Sequence, residues 1–164
     1  AQLAQHLQSY GFDVAGWSRN KKQLQGVSSY AGAEELEGFL KRTDALCCLL
    51  PLTPDTQGIL NRHNMSQLPR GSVVINAGRG QHLVVDDLLE LLDENHLRGA
   101  VIDVFEQEPL PKEHQLWQHP KVMMTPHSSA QSEYPPCVKK IGNTLQAIID
   151  NKNPSGLVDR CRGY

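Results

Sequence analysis

Little in this chain points to a charged partner, a membrane or a metal. Its 164 residues carry 16 basic and 18 acidic side chains. The two signs nearly cancel, so there is no basic stripe of the kind a phosphate backbone demands, and no nucleic-acid partner is expected. No apolar run approaches the roughly 20 residues that span a bilayer, so no membrane segment is expected. The opening residues, AQLAQHLQSYGF, lack the basic start and unbroken apolar centre of a signal peptide. Only four cysteines are present. Cys47 and Cys48 sit in the apolar run 46–50 and are expected to pack as small hydrophobes. Cys137 and Cys161 stand far apart, and no CxxC or Cys/His spacing suits a metal. A disulfide framework is therefore not expected, and a reducing, cytoplasmic setting fits. A GxSxG elbow is absent, which weighs against Ser/His/Asp hydrolysis. No internal repeat or low-complexity segment is visible. The length suits one domain with a real core.

What is present is concentrated in residues 73–130. Three short apolar runs, 73–75, 100–104 and 122–124, read as buried strands. An amphipathic segment, 84–95, separates the first two and reads as a helix. Strand, helix, strand is the unit of a parallel sheet, and such sheets bind ligands beyond the carboxyl ends of their strands. After each run comes a polar residue that a core would reject: Arg79, then Glu108, then His127. A guanidinium, a carboxylate and an imidazole are thus expected along one sheet edge. Asp103 lies inside the second run, where an unpaired carboxylate costs several kcal/mol, so it must have donors from the protein or a ligand amide.

The remaining pattern alternates helix and strand. Residues 1–10 read as a helix, with Ala1 already inside the pattern and Gly11 closing it. Residues 12–17 read as a strand. Ser18 and Arg19 follow it, with Lys21 and Lys22 near and no carboxylate among them. In a dinucleotide fold an acidic residue at such a place binds the ribose 2′-hydroxyl, whereas arginine suits a 2′-phosphate. Alone, the stretch reads equally as a solvated basic turn. Residues 33–40 read as a helix and 45–50 as a strand ended by Pro51. Thr53 reads as an N-cap with Pro54 in the first turn, and 57–68 as a short helix with a loop. The bend Ala77-Gly78-Arg79-Gly80 lets backbone approach a ligand while the guanidinium reaches over it, although Arg79 taken alone also suits a structural ion pair. Trp117 reads as a packing anchor. Residues 121–125 form the last strand. A helix from about Gln131, more strictly from Tyr134, runs to Asp150 with Ile141, Leu145, Ile148 and Ile149 on its apolar face. Of seven histidines, His6, His63, His82, His96, His114 and His119 are expected to be surface or turn residues.

Arginine, glutamate and histidine at one edge suit reduction of a 2-keto acid. Arginine pairs with the acid through its planar fork, histidine gives a proton to the carbonyl near neutral pH, and a nicotinamide supplies hydride. The motifs carry a resemblance as well. LPLTPDTQGILN, INAGRG with VVDDLLELL, AVIDVFEQEPLP and MMTPHSSA resemble, in order and spacing, signatures of the D-isomer-specific 2-hydroxyacid dehydrogenases. Within that family the WSR after what would be its second strand, LWQHP and the VDRCRGY tail resemble the bacterial glyoxylate/hydroxypyruvate reductases. The resemblance implies an α/β, Rossmann-like, doubly wound parallel sheet, truncated before the family's second strand because the first strand and its GxGxxG turn do not appear. It implies an NAD(P)-binding domain over residues 1–130, with 131–164 a helix and tail returning to a substrate domain. It implies that Arg79 binds the substrate carboxylate, that His127 is the proton donor with Glu108 its partner, and that Asp103 holds the nicotinamide carboxamide. Ser18 and Arg19 would bind a 2′-phosphate, giving NADPH preference with NADH possible. Pro51, Ala77 and Gly78 would line the cofactor cleft. A small 2-keto acid substrate and a homodimer of the full-length protein follow as further expectations. So does the expectation that this chain is a piece of a longer enzyme, inactive or nearly so alone. A non-catalytic dinucleotide-binding or corepressor-type module is the competing reading, and a ligand-free folding or oligomerisation module a third.

Overall fold

The computed structural model describes residues 2–130 and 134–158. The expectations for Ala1, for a helix start at Gln131 and for the tail from Asp159 with Cys161 lie outside the described residues. Among the described residues six strands form two parallel sheets. β1 (Val14–Ser18) pairs with β2 (Val27–Ala31). The larger sheet runs in the order β3 (Ala45–Cys48), β4 (Ser72–Asn76), β5 (Leu97–Ile102), β6 (Val122–Met124). The α-helices of the described residues are α1 (Gln2–Ser9), α2 (Leu36–Lys41), α3 (Arg62–Met65), α4 (Val85–Asp93) and α5 (Tyr134–Ile149).

The larger sheet follows from its sequence. Two of the three runs that read as buried strands are buried, with Val74 and Ile102 fully enclosed and Ala100 and Val104 nearly so, whereas the third, β6, is half-buried at the sheet edge with Met123 exposed. α4 carries Leu88, Leu89, Leu91 and Leu92 on the face turned to them, all buried. Asp86 and Asp87 occupy its first turn, where negative charge suits the helix dipole. Asp87 also accepts the backbone N–H of Arg62 at 2.7 Å, tying the start of α3 to α4. At the other end Lys121 donates its ammonium to the carbonyl of Leu92 and to Asn95, and Asn95 leaves the helix with a φ of 54°. These local choices and the apolar face agree, so the β4–α4–β5 crossover is specified at several levels at once.

Several expectations need correction. β2 is an additional strand. Its sequence, VSSYA, has too little apolar alternation to announce itself, and pairing with β1 makes it a strand. The parallel strands stand in two groups, and β1 and β3 each keep an unpaired edge, which agrees with the expectation of a sheet without its first strand. Thr53 caps no helix: residues 54–58 form turns in which Thr53 and Thr56 bond to each other, and Gly58 has a φ of 63°. The cap of α3 is Asn61, whose side chain accepts from the N–H of Asn64. Trp117 is 54% exposed and the packing anchor is its neighbour Leu116. His82 is no surface residue, since it is fully buried. The apolar face expected on α5 exists, but Ile141, Leu145, Ile148 and Ile149 are exposed within this chain.

Candidate active site

Because β4, β5 and β6 are neighbours and parallel, their carboxyl ends open on one rim. Arg79 follows β4, Glu108 follows β5 and His127 follows β6. Chain order has become spatial order, which is how a parallel sheet gathers distant residues.

The sharpest contact is between the last two. His127 Nδ1 lies 2.8 Å from a carboxylate oxygen of Glu108. The other oxygen of Glu108 accepts the backbone N–H of Phe105 at 3.0 Å, which fixes the carboxylate's orientation. The hydrogen bond from His127 and that from Phe105 hold the Glu108 carboxyl below its ordinary range, so it is an anion at neutral pH. With Nδ1 turned to Glu108, Nε2 is the ring atom left to exchange a proton. Both side chains are partly open, at 49% for His127 and 38% for Glu108, as a pair that meets a substrate must be.

Asp103 is buried, at 4% exposure, and its donors come from the protein. One oxygen accepts from the Thr125 hydroxyl and from the Ser128 N–H at 2.9 Å. The other accepts from the Ser129 hydroxyl and from the Ser129 N–H at 3.2 Å. Burial pushes the carboxyl's pKa up, but these four donors outweigh it and hold the group well below the usual carboxylate range. They also occupy the four lone-pair directions a carboxylate offers. In this geometry Asp103 clamps the loop that carries His127, and a carboxamide would have to displace one of the four donors. His127 stands in that loop with a φ of 50°, a conformation uncommon for a residue with a side chain. The two amides after it are the ones Asp103 accepts. Asp103→Asn should therefore cost about 1–3 kcal/mol in urea unfolding, since an amide NH₂ would face donors in a buried place. An unchanged midpoint would remove the clamp.

Around Arg79 the backbone is held by side chains that the sequence reading did not single out. Asn76, fully buried, accepts the Gly78 N–H at 3.2 Å and donates to the Arg79 carbonyl at 3.0 Å. The Arg79 guanidinium donates to the Gly78 carbonyl at 2.7 Å and is exposed. Gly80 begins a 3-10 turn, Gly80–His82, and packs directly on the Phe105–Glu106 peptide. The arginine loop therefore rests on the loop that carries Glu108. The signal for Asn76 was a polar residue at the last position of a buried strand. Ser128 and Ser129 gave none, because their partner lies 25 and 26 residues away.

The other expected positions end or follow β1, β3 and β4. Ser18 ends β1 and donates to the Asn20 carbonyl at 2.8 Å, and Arg19 beyond it stands 3.7 Å from Asp55. Pro51 follows β3 with its ring exposed. Its carbonyl accepts from the Thr56 hydroxyl at 2.7 Å and lies 3.3 Å from His82 Nε2. Ala77 is half-buried and Gly78 buried. Among the described residues there is no group of three or more His, Cys, Asp or Glu placed to hold a metal ion, and no helix long and apolar enough to cross a membrane. Burial pushes the Cys48 thiol up to about 11, so it behaves as the small hydrophobe expected.

Comparison with known proteins gives these positions a context. The family model described as "D-isomer specific 2-hydroxyacid dehydrogenase, NAD binding domain" matches residues 1–129. A glyoxylate/hydroxypyruvate reductase A from Salmonella paratyphi B is 46% identical over all 164 residues, which cover 53% of that protein. The chain thus spans about half the length of the curated relatives it matches. A crystal structure of a D-isomer specific 2-hydroxyacid dehydrogenase from Xanthobacter autotrophicus, in complex with NADPH and MES, superposes with a TM-score of 0.95 at 38% identity, covering 98% of this chain and 66% of that one. An NADPH-dependent glyoxylate/hydroxypyruvate reductase from Sinorhizobium meliloti, in complex with NADP and sulfate, gives 0.94 at 42% identity, covering 99% and 53%.

Proposed function

The chain belongs to the D-isomer specific 2-hydroxyacid dehydrogenases, and from that membership we propose that it forms the cofactor-binding part of an NADPH-dependent reductase of 2-keto acids. The whole protein takes glyoxylate to glycolate and hydroxypyruvate to glycerate. The observation that carries this reading is the His127–Glu108 pair at 2.8 Å, on the rim where Arg79 also stands. A module that only binds dinucleotide has no use for an imidazole fixed by an ionised carboxylate.

The roles follow from the chemistry of each group. Arg79 offers two parallel N–H donors to the substrate carboxylate and polarises the adjacent carbonyl. His127 carries the proton that the carbonyl oxygen takes up, and Glu108 stabilises the charged ring and fixes its orientation. Bound NADPH supplies the hydride. Ser18 and Arg19 would hold its 2′-phosphate, and Pro51, Ala77, Gly78 and the loop clamped by Asp103 would line its cleft. The fit is supported by the end of β1, where residues 18–22 bring three cationic side chains and no carboxylate. Asp55, 3.7 Å from Arg19, would yield to the more highly charged phosphate.

The test is turnover of glyoxylate and hydroxypyruvate by the whole protein with NADPH beside NADH, with and without Arg19→Ala. Losing a charge-assisted hydrogen bond of about 1.5–3 kcal/mol should cut the preference for NADPH roughly tenfold to a hundredfold. NADPH binding without turnover of any 2-keto acid would favour the binding module instead. An Arg19→Ala variant with unchanged preference would move the 2′-phosphate elsewhere.

A further inference from the structure

We infer that His82 is a positioning residue for Arg79, its ring tying the Arg79 backbone to the loop after β3 and so fixing where the guanidinium meets a carboxylate. The inference deepens the reductase reading and rests on it for the identity of that carboxylate.

The observations are geometric. His82 is fully buried, at the end of the 3-10 turn that follows Arg79. Its Nδ1 accepts the backbone N–H of Arg79 at 3.1 Å. Its Nε2 lies 3.3 Å from the carbonyl of Pro51, 31 positions earlier in the chain. A ring that accepts at Nδ1 and donates at Nε2 is a neutral imidazole in one tautomer. Burial lowers the pKa of the ring from its ordinary value, and the nearby Arg79 charge lowers it further, which keeps the accepting lone pair in place. Gly78 makes the approach possible: a Cβ there would fall 2.9 Å from His82 Nδ1 and 3.3 Å from the Leu50 carbonyl. The histidine thus bridges two rim loops at a point where neither backbone group has another partner in the sheet. A leucine would fill the space, leave the Arg79 N–H unbonded and leave the Pro51 carbonyl to the Thr56 hydroxyl alone.

His114 and His119 show that this chain uses the same device elsewhere, each accepting a backbone N–H through Nδ1. Neither of those bonds reaches a residue of the rim. Of these three histidines it is His82 that holds the backbone N–H of Arg79, whose carbonyl Asn76 holds from the other side.

Three variants separate positioning from packing. Asparagine puts its side-chain oxygen where Nδ1 stands and can accept from Arg79. Glutamine reaches towards Pro51 instead. Leucine does neither. A displacement of about 1 Å at a binding group can cost up to a hundredfold. His82→Leu and His82→Gln should accordingly raise KM for glyoxylate roughly tenfold or more, with KM for NADPH little changed, and His82→Asn should recover most of the loss. In an Arg79→Ala background His82→Leu should add nothing to KM for the acid, since coupled residues are not additive. A readout independent of turnover is hydrogen exchange at the Arg79 amide, slow in the parent and in His82→Asn, fast in His82→Gln. Equal behaviour of the asparagine and glutamine variants in exchange and in KM would overturn the inference, and that contrast stands even if His82→Leu fails to fold. If the parent reduces no 2-keto acid yet the exchange contrast appears, the backbone tie stands and the reductase reading fails. If the parent turns over and the contrast is missing, only the inference about His82 fails.

Discussion

Gly80→Ala is expected to lower turnover of the whole protein by a hundredfold or more and to reduce its thermal midpoint by several degrees. The cause is space, because the φ of Gly80 is not in the left-handed region. A Cβ at this position would stand 1.9 Å from the Phe105 carbonyl carbon and 2.2 Å from both the Phe105 oxygen and the Glu106 nitrogen. All three atoms are backbone, so no rotamer change relieves the overlap. The arginine loop and the loop that bears Glu108 must separate by more than 1 Å to restore ordinary contact. Overpacking of this kind typically costs about 1–3 kcal/mol, which for a protein of this size is on the order of 2–10 °C. The kinetic effect is larger because the two loops carry different parts of one site, and a 1 Å misplacement can cost about a hundredfold by itself. Gly142→Ala is the control. It lies in α5, where nothing stands within 4 Å of an added Cβ, and it should leave turnover unchanged. Gly78→Ala falls between them, since its nearest obstacle is the His82 ring. If Gly80→Ala keeps full turnover, the two loops do not depend on each other as the structure indicates.

The larger sheet and the three residues along its rim were legible because each rests on a local, redundant signal. Apolar runs with a single amphipathic segment between them leave little choice but a parallel crossover, and a polar residue just past each run marks the carboxyl end. The failures share a different physics. β2 is a strand because β1 pairs with it, and its own five residues are half-buried at most, so there was little hydrophobic pattern to read. Thr53 and Pro54 have the chemistry of a helix start, yet Asn61 serves as the cap, since only tertiary contact decides which of two capable residues is used. Histidine was read as polar and therefore outside. His82 is inside because one ring can satisfy two backbone groups at once, a demand that exists only after the loops have met. Asp103 is the intermediate case. That it needed donors followed from burial alone, whereas their source, residues 125–129, depended on β6 lying beside β5.

His127→Ala should remove the largest share of catalysis, roughly a hundredfold to ten-thousandfold in kcat, the range expected for losing a positioned proton donor, while NADPH binding stays within a factor of about two, since an effect confined to kcat marks an interaction made only in the transition state. Arg79→Ala should act mainly on KM for the keto acid, because a carboxylate clamp binds ground state and transition state alike, with a smaller loss in kcat from the carbonyl it polarises. Glu108→Gln tests the anion and the tether together. Glutamine has one acceptor oxygen where Glu108 presents two, so its amide NH₂ faces either His127 Nδ1 or the Phe105 N–H, and the charge goes together with one of the two hydrogen bonds. Glu108→Gln should therefore lower kcat by about tenfold or more, as expected when a proton donor loses its tether, with NADPH binding little changed. A kcat equal to the parent's would make the Glu108 contact incidental, and equal kinetics for His127→Ala and the parent would take the proton donor away from this rim. The contrast matters because the pair at 2.8 Å is the one feature that a dinucleotide-binding module would not need. Loss of kcat with cofactor binding intact is what distinguishes a site built to move a proton from one that only holds a cofactor.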